Sequence, residues 1–129
     1  MSRVLVDTSV WIDYFNGGNP KADALSGLIE SNSICTNDLI LAELVPFIRH
    51  EGQAKAAEFL FSVEKHEMNI DWRRLIEFQI LNLKKGVNHV GIPDLIILQQ
   101  VIDLRLALYT FDKHFELMSS FHGFELYGA

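Results

Sequence analysis

Four acidic side chains, Asp7, Glu43, Asp94 and Asp112, are far apart in the chain but sit where one site can be assembled from them. Asp7 directly follows the apolar run Val4-Leu5-Val6, Glu43 stands within LILAEL, Asp94 within GIPDLII, and Asp112 two residues after Thr110 in LALYTFDKHF. Carboxylates ~4 Å apart repel by about 4 kcal/mol per pair at an effective dielectric near 20, so a cleft that gathers several needs a compensating cation. Oxygen-only ligation, without cysteine, favours a hard divalent ion, Mg²⁺ or Mn²⁺. Such an ion lowers the pKa of a bound water, orients it for in-line attack on phosphorus and stabilises the leaving oxygen, which is the chemistry of phosphodiester hydrolysis.

The elements that must position these residues follow from hydrophobic periodicity and turn chemistry. Arg3 to Val6 reads as a first strand, and Ser9 to Phe15 as a helix ended by Asn16-Gly17-Gly18. Pro20 opens a second helix with Ala24, Leu25, Leu28 and Ile29 on its apolar face, and Ser33 to Thr36 is a second strand that packs Cys35 inside. Asn37-Asp38 caps a helix from Leu39 to about Ile48, which Pro46 is expected to kink or split, and a further helix follows Gly52. Glu67 to Ile70 is expected as a third strand, with Asp71 capping a helix that closes at Lys84-Lys85-Gly86. Pro93-Asp94 opens the next helix, to about Arg105; Leu106 to Tyr109 is a fourth strand, Lys113 to Phe121 a helix, and Phe124 to Tyr127 a last strand.

Alternating strands and helices imply an α/β domain of three layers, α/β/α, with a mostly parallel sheet of four to five strands. In such a sheet the helices run back against the strands, so strand ends and helix starts share one edge. Asp7 and Asp112 come off strand ends, and Asp94 sits in the first turn of a helix, so all three face the same rim. Glu43 lies about five residues into its helix, which at ~1.5 Å per residue sets it roughly 8 Å below that edge, within reach of a cleft.

The composition is compatible with this site. The chain has 129 residues, 49% of them hydrophobic, which describes one compact domain over 1–129 that folds without metal or disulfide. A single cysteine excludes an internal disulfide and a zinc cluster and fits a reducing cytoplasm. No apolar stretch is long enough for a signal peptide or a membrane span, so a soluble, unexported protein is expected. Seventeen acidic against eleven basic residues give a net charge of −6, which disfavours broad electrostatic capture of nucleic acid but leaves room for a local basic rim. Arg3, Arg49, Lys113 and Lys84-Lys85 are the candidates for that rim.

The stretches VLVDTSVWIDYF, LILAEL, GIPDLII and LALYTFDKHF, in this order and over nearly the whole length, resemble the PIN domain and in particular the VapC-type toxin ribonucleases of bacterial and archaeal toxin–antitoxin modules. That resemblance implies a Mg²⁺- or Mn²⁺-dependent endoribonuclease with Asp7, Glu43, Asp94 and Asp112 as catalytic and metal-binding residues. It also implies an RNA substrate, a cognate antitoxin that occupies the cleft, and a homodimer. Thr110 is expected to support the site by hydrogen bonding to Asp112 or to a bound water. Two departures stand out: Gln99 and Gln100 close a bulky run after the third acid where many relatives carry small residues, and His114 stands where many carry a further acid. His114 has two readings, a phosphate contact or a local helix cap.

Simpler roles compete. Asp94 after a proline and Asp112 before a helix also fit as N-terminal charge partners, and Asp7 as a cap, although Thr8 or Ser9 would cap equally well. Glu43 lies among Leu39, Ile40, Leu41, Ala42, Leu44 and Val45, where burying an unpaired carboxylate is unfavourable. Asp13, Asp38, Asp71 and Asp103 read as a helix face, two caps and a helix end, and His50, His66, His89 and His122 as surface or turn residues. The Trp72–Leu83 helix is apolar on more than one face, so it is either wholly buried or meets another chain. Trp11, Tyr14, Phe15, Phe47 and Phe59 to Phe61 read mainly as core, with a peptide groove as the other option. The alternative function is a PIN-like module that has lost activity and only binds RNA or protein. An aspartyl-phosphate phosphatase is disfavoured, because the second acid such enzymes place two residues after the first is Ser9 here.

Overall fold

A computed structural model describes residues 3–17 and 19–128. Strand β1 (Val4–Val6) leads into helix α1 (Thr8–Asn16), which ends on Gly17 in the left-handed conformation, at φ 68°; Gly18, expected to share that stop, lies outside the described residues. Pro20 starts only a short 3-10 turn to Ala22, and helix α2 (Ala24–Glu30) begins beyond it. Strand β2 (Ile34–Cys35), α3 (Asp38–His50) and α4 (Ala54–Ser62) follow, then α5 (Trp72–Lys84), α6 (Ile92–Asp103), β3 (Ala107–Tyr109), α7 (Lys113–Met118) and β4 (Glu125–Leu126).

The four strands form one all-parallel sheet in the order β2-β1-β3-β4. Every residue of β1, β2 and β3 is buried, as expected of central strands covered by helices on both faces. The core joins Leu5, Val6 and Leu108 of the sheet to Trp11, Leu25, Ile40, Leu44, Leu98 and Phe115 of the surrounding helices. Trp11 is fully buried, and Tyr14, Phe15, Phe47 and Phe59 pack against the core, whereas Phe61 is exposed. Among the described residues no helix is long and apolar enough to cross a membrane. Cys35 is a free, buried thiol whose pKa burial pushes up to about 12, so it is inert.

Three sequence expectations need correction. Pro46 does not split α3: the helix runs unbroken from Asp38 to His50. Proline deletes a bond to the carbonyl four residues back, and Ala42 and Pro46 both lie on the exposed side, where water can replace it.

Glu67 to Ile70 is not a strand. Pairing with β2 stops after one bridge, Thr36 with Lys65, and the backbone beyond it is taken by two glutamines of α6. Gln99 accepts from the Asp71 N–H at 2.8 Å and donates to the Asn69 carbonyl at 2.6 Å. Gln100 donates to the carbonyls of His66 and Glu67 and accepts from Asn37 Nδ2 at 2.6 Å. Gln99 and Gln100, at the end of the bulky run after Asp94, therefore have a structural task, docking this loop through hydrogen bonds that satisfy their own buried side chains.

His122 is not a surface residue. It is 5% exposed, and its Nε2 donates to Asn82 Oδ1 at 2.8 Å. Asn82 in turn donates to Gln79, and Gln79 donates to the Val90 carbonyl at 2.7 Å. Burial lowers the His122 pKa and favours the neutral ring, with its proton on Nε2 toward Asn82 Oδ1. The chain of bonds ties α5 to the C-terminal segment and to the loop that delivers α6.

Candidate active site

Parallel pairing of β1 with β3 aligns Val6 with Tyr109, and the next residue on each strand, Asp7 and Thr110, extends that register past the sheet edge. The Asp7 N–H donates to the Tyr109 carbonyl at 2.9 Å, so the first acid is anchored by its own backbone. Its side chain is held from three sides: the Thr8 N–H donates to Oδ1 at 2.8 Å, while the hydroxyls of Ser9 and Thr110 donate to Oδ2 at 3.2 and 2.7 Å. Asp7 is thus both the N-cap of α1 and a member of the acidic edge.

Thr110 bridges two acids. While donating to Asp7, its hydroxyl accepts from the Asp112 N–H at 3.0 Å. Ser9 accepts from the Phe111 N–H at 3.1 Å, so the two hydroxyls fix the loop between β3 and α7 from both sides. The sequence marks Ser9 as a candidate cap; a hydroxyl two residues after a strand-end acid is the signal for this further role. Asp112 caps α7, its Oδ1 accepting from the His114 N–H at 2.9 Å.

Asp94 occupies the first turn of α6, and its carboxylate accepts no hydrogen bond from another described residue. Glu43 is exposed rather than buried: Leu41, Leu44 and Val45 turn into the core, and Glu43 faces α1, where Thr8 Oγ1 donates to it at 3.3 Å. The apolar neighbours in sequence therefore lie on the other side of the helix, and the partial desolvation that Glu43 feels comes from the α1 side of the cleft.

The four acids feel one another. Burial, followed by the charges of Asp112, Asp7 and Glu43, raises the Asp94 pKa to about 6 against a weaker opposing effect of His114. Asp7 is also raised, burial outweighing the bonds from Thr110, Thr8 and Ser9, and Glu43 is raised by burial and by Asp7. Among the described residues no lysine or arginine pairs with any of the four. Donor atoms of Asp94, Asp112 and His114 all lie within 4.8 Å of one another. Clustered carboxylates that meet no lysine or arginine among the described residues, in a site that disfavours their charge, fit a divalent cation. Of the rim candidates, Arg3 is committed to Glu64 and the Ile34 carbonyl, and Arg49 stacks over Phe61.

The PIN domain family model matches residues 4–119, and the chain belongs to that family. No curated protein matches it in sequence. Among solved structures, it is similar to VapBC2 from Rickettsia felis bound to a DNA fragment from its promoter, with 19% identity, a TM-score of 0.72, and coverage of 95% of this chain and 96% of that one. DNA-bound VapBC from Salmonella typhimurium gives 18% identity and a TM-score of 0.73 over 98% and 97% of the two chains. VapC20 from Mycobacterium tuberculosis, a sarcin-ricin loop cleaving toxin, gives 13% and 0.62 over 92% and 95%. At these identities the likeness establishes the fold.

Proposed function

We propose that the protein is a metal-dependent endoribonuclease, the toxin of a cytoplasmic toxin–antitoxin pair, with Asp7, Glu43, Asp94 and Asp112 as catalytic, metal-holding carboxylates. The observation that carries this reading is the convergence of the four acids on one sheet edge with no lysine or arginine among the described residues paired to them. When bound, Mg²⁺ or Mn²⁺ supplies Lewis acidity toward water and the scissile phosphate. The protein's own contribution is orientation: Thr8, Ser9 and Thr110 fix the Asp7 carboxylate, Thr110 links it to Asp112, and Asp94 leaves its oxygens free. VapC20, which shares the fold, is a sarcin-ricin loop cleaving toxin and supports RNA as the substrate. The two DNA-bound neighbours are VapBC complexes and support a cognate antitoxin.

A second copy of the chain is assigned to the outer face of α5. Trp72, Ile76, Ile80 and Leu83 form an exposed apolar stripe flanked by Ile92, each about half exposed or more. A helix face of this kind is self-complementary about a two-fold axis and carries no charge that would select a charged partner.

The test is cleavage of a pool of structured RNAs with Mg²⁺ or Mn²⁺ and with chelator, beside Asp7→Asn and Asp94→Asn. Metal-dependent cutting lost in folded variants is expected. Undiminished cutting by the variants removes the site assignment, and neither cutting nor metal binding by the parent chain leaves the inactive binding module.

A further inference from the structure

We propose that His114 is a nitrogen ligand of the cation at this site and that it biases the site toward Mn²⁺ over Mg²⁺. The inference rests on the metal-dependent reading above and refines it by naming a ligand and the ion that ligand selects.

Three observations lead here. First, the imidazole shares a single cluster with Asp94 and Asp112, one donor atom from each residue lying within 4.8 Å of the other two. Two donors on a common ion with bonds of ~2.1 Å stand roughly 4 Å apart or closer, so the trio needs only a small inward adjustment.

Second, the ring has no other engagement that explains it. Its Nδ1 is 3.5 Å from Asp112 Oδ1, well beyond the ~2.7–2.9 Å of a charge-assisted hydrogen bond. Neither ring nitrogen makes a hydrogen bond within the described residues, and the side chain is 33% exposed on the cleft side of α7. The capping bond at this position comes from the His114 backbone N–H at 2.9 Å, which any non-proline residue supplies. The imidazole is therefore surplus to the cap.

Third, the imidazole brings a donor chemistry that the acids of the site lack. Asp94 and Asp112 offer hard oxygens, whereas His114 offers a borderline nitrogen. Mg²⁺ holds to oxygen and water in near-ideal octahedra, while transition ions accept nitrogen readily; Mn²⁺ accepts both. A site of carboxylates plus one imidazole thus discriminates against Mg²⁺ in a way that an all-carboxylate site does not.

The experiment is pulsed electron paramagnetic resonance of the full chain loaded with Mn²⁺ alone, with calorimetric titration of Mn²⁺ and Mg²⁺ in parallel. The parent protein is expected to show the nitrogen hyperfine coupling of a directly bound imidazole, and His114→Ala to lose it while keeping its circular dichroism. Mn²⁺ affinity of His114→Ala should fall on the order of tenfold or more, with Mg²⁺ affinity little changed. His114→Asp should bind metal without the coupling and with a smaller Mn²⁺ to Mg²⁺ preference. Mn²⁺ binding without nitrogen coupling, or coupling that survives in His114→Ala, overturns the inference and leaves the nuclease reading intact. Failure of the parent protein to bind Mn²⁺ overturns both.

Discussion

Asp7 and Thr110, 103 residues apart in sequence, share a 2.7 Å hydrogen bond, and the same hydroxyl accepts from the Asp112 N–H. One side chain thereby sets the spacing of two acids carried by different strands. Thr110→Val keeps the shape and removes both bonds. Metal affinity and cleavage should fall on the order of 10–100-fold, as for other residues that orient ligands, while Thr110→Ser stays near the parent. Calorimetry and a cleavage assay on the three proteins check this.

The second prediction concerns pH. Asp94 titrates at about 6 in the folded chain against an ordinary value of 3.8. Between these values the folded state binds more protons than the unfolded state, so the metal-free protein loses stability as pH rises through that window. Asp94→Asn removes this effect. It should unfold at a higher temperature than the parent at pH 7.5 without metal, and the two should converge near pH 4. The gain is at most about 3 kcal/mol and smaller after solvent screening, because the group is partly exposed. Metal binding by the parent should weaken as pH drops through 6, since the cation must displace that proton.

A charge on the outer face of α5 should separate subunits without unfolding them. Ile76 and Ile80 are 62% and 49% exposed, so Ile76→Asp or Ile80→Lys costs little core packing. Sedimentation should show a dimer for the parent and a monomer for either variant, with unchanged circular dichroism.

Gln100→Leu should loosen the loop after α4. The change strands Asn37 Nδ2 and removes the donor to the carbonyls of His66 and Glu67, at a cost of about 1–3 kcal/mol for buried groups left without partners. Urea unfolding measures the loss, and amide exchange over residues 64–71 should accelerate first.

These outcomes also mark what could be read from sequence. Asp7, Asp94 and Asp112 were legible because each stands at the end of an apolar strand or the start of a helix, and a parallel sheet sends all such points to one edge. The sequence argument for Glu43 needs amending: its neighbours in sequence are apolar, but helix geometry turns it away from them. The absent strand at Glu67–Ile70 was illegible because the groups that claim its backbone, Gln99 and Gln100, arrive from about thirty residues downstream. His122 was misread for the same reason, since its partner Asn82 lies 40 residues upstream. Periodicity reports the burial of a face; it is silent on which polar side chain will meet a given peptide group across the fold.

The β1–β3 register also has a consequence in time. Asp7 leaves the ribosome well before the hydroxyl and loop that orient it, which come from Thr110 to Asp112, 103 residues later. Parallel strands cannot pair until their crossover is complete, and contacts of such long sequence separation form late. A nascent chain that stops short of β3 carries its first acid without the partners that aim it, so the acidic edge is assembled only after the Thr110 to Asp112 segment has been made.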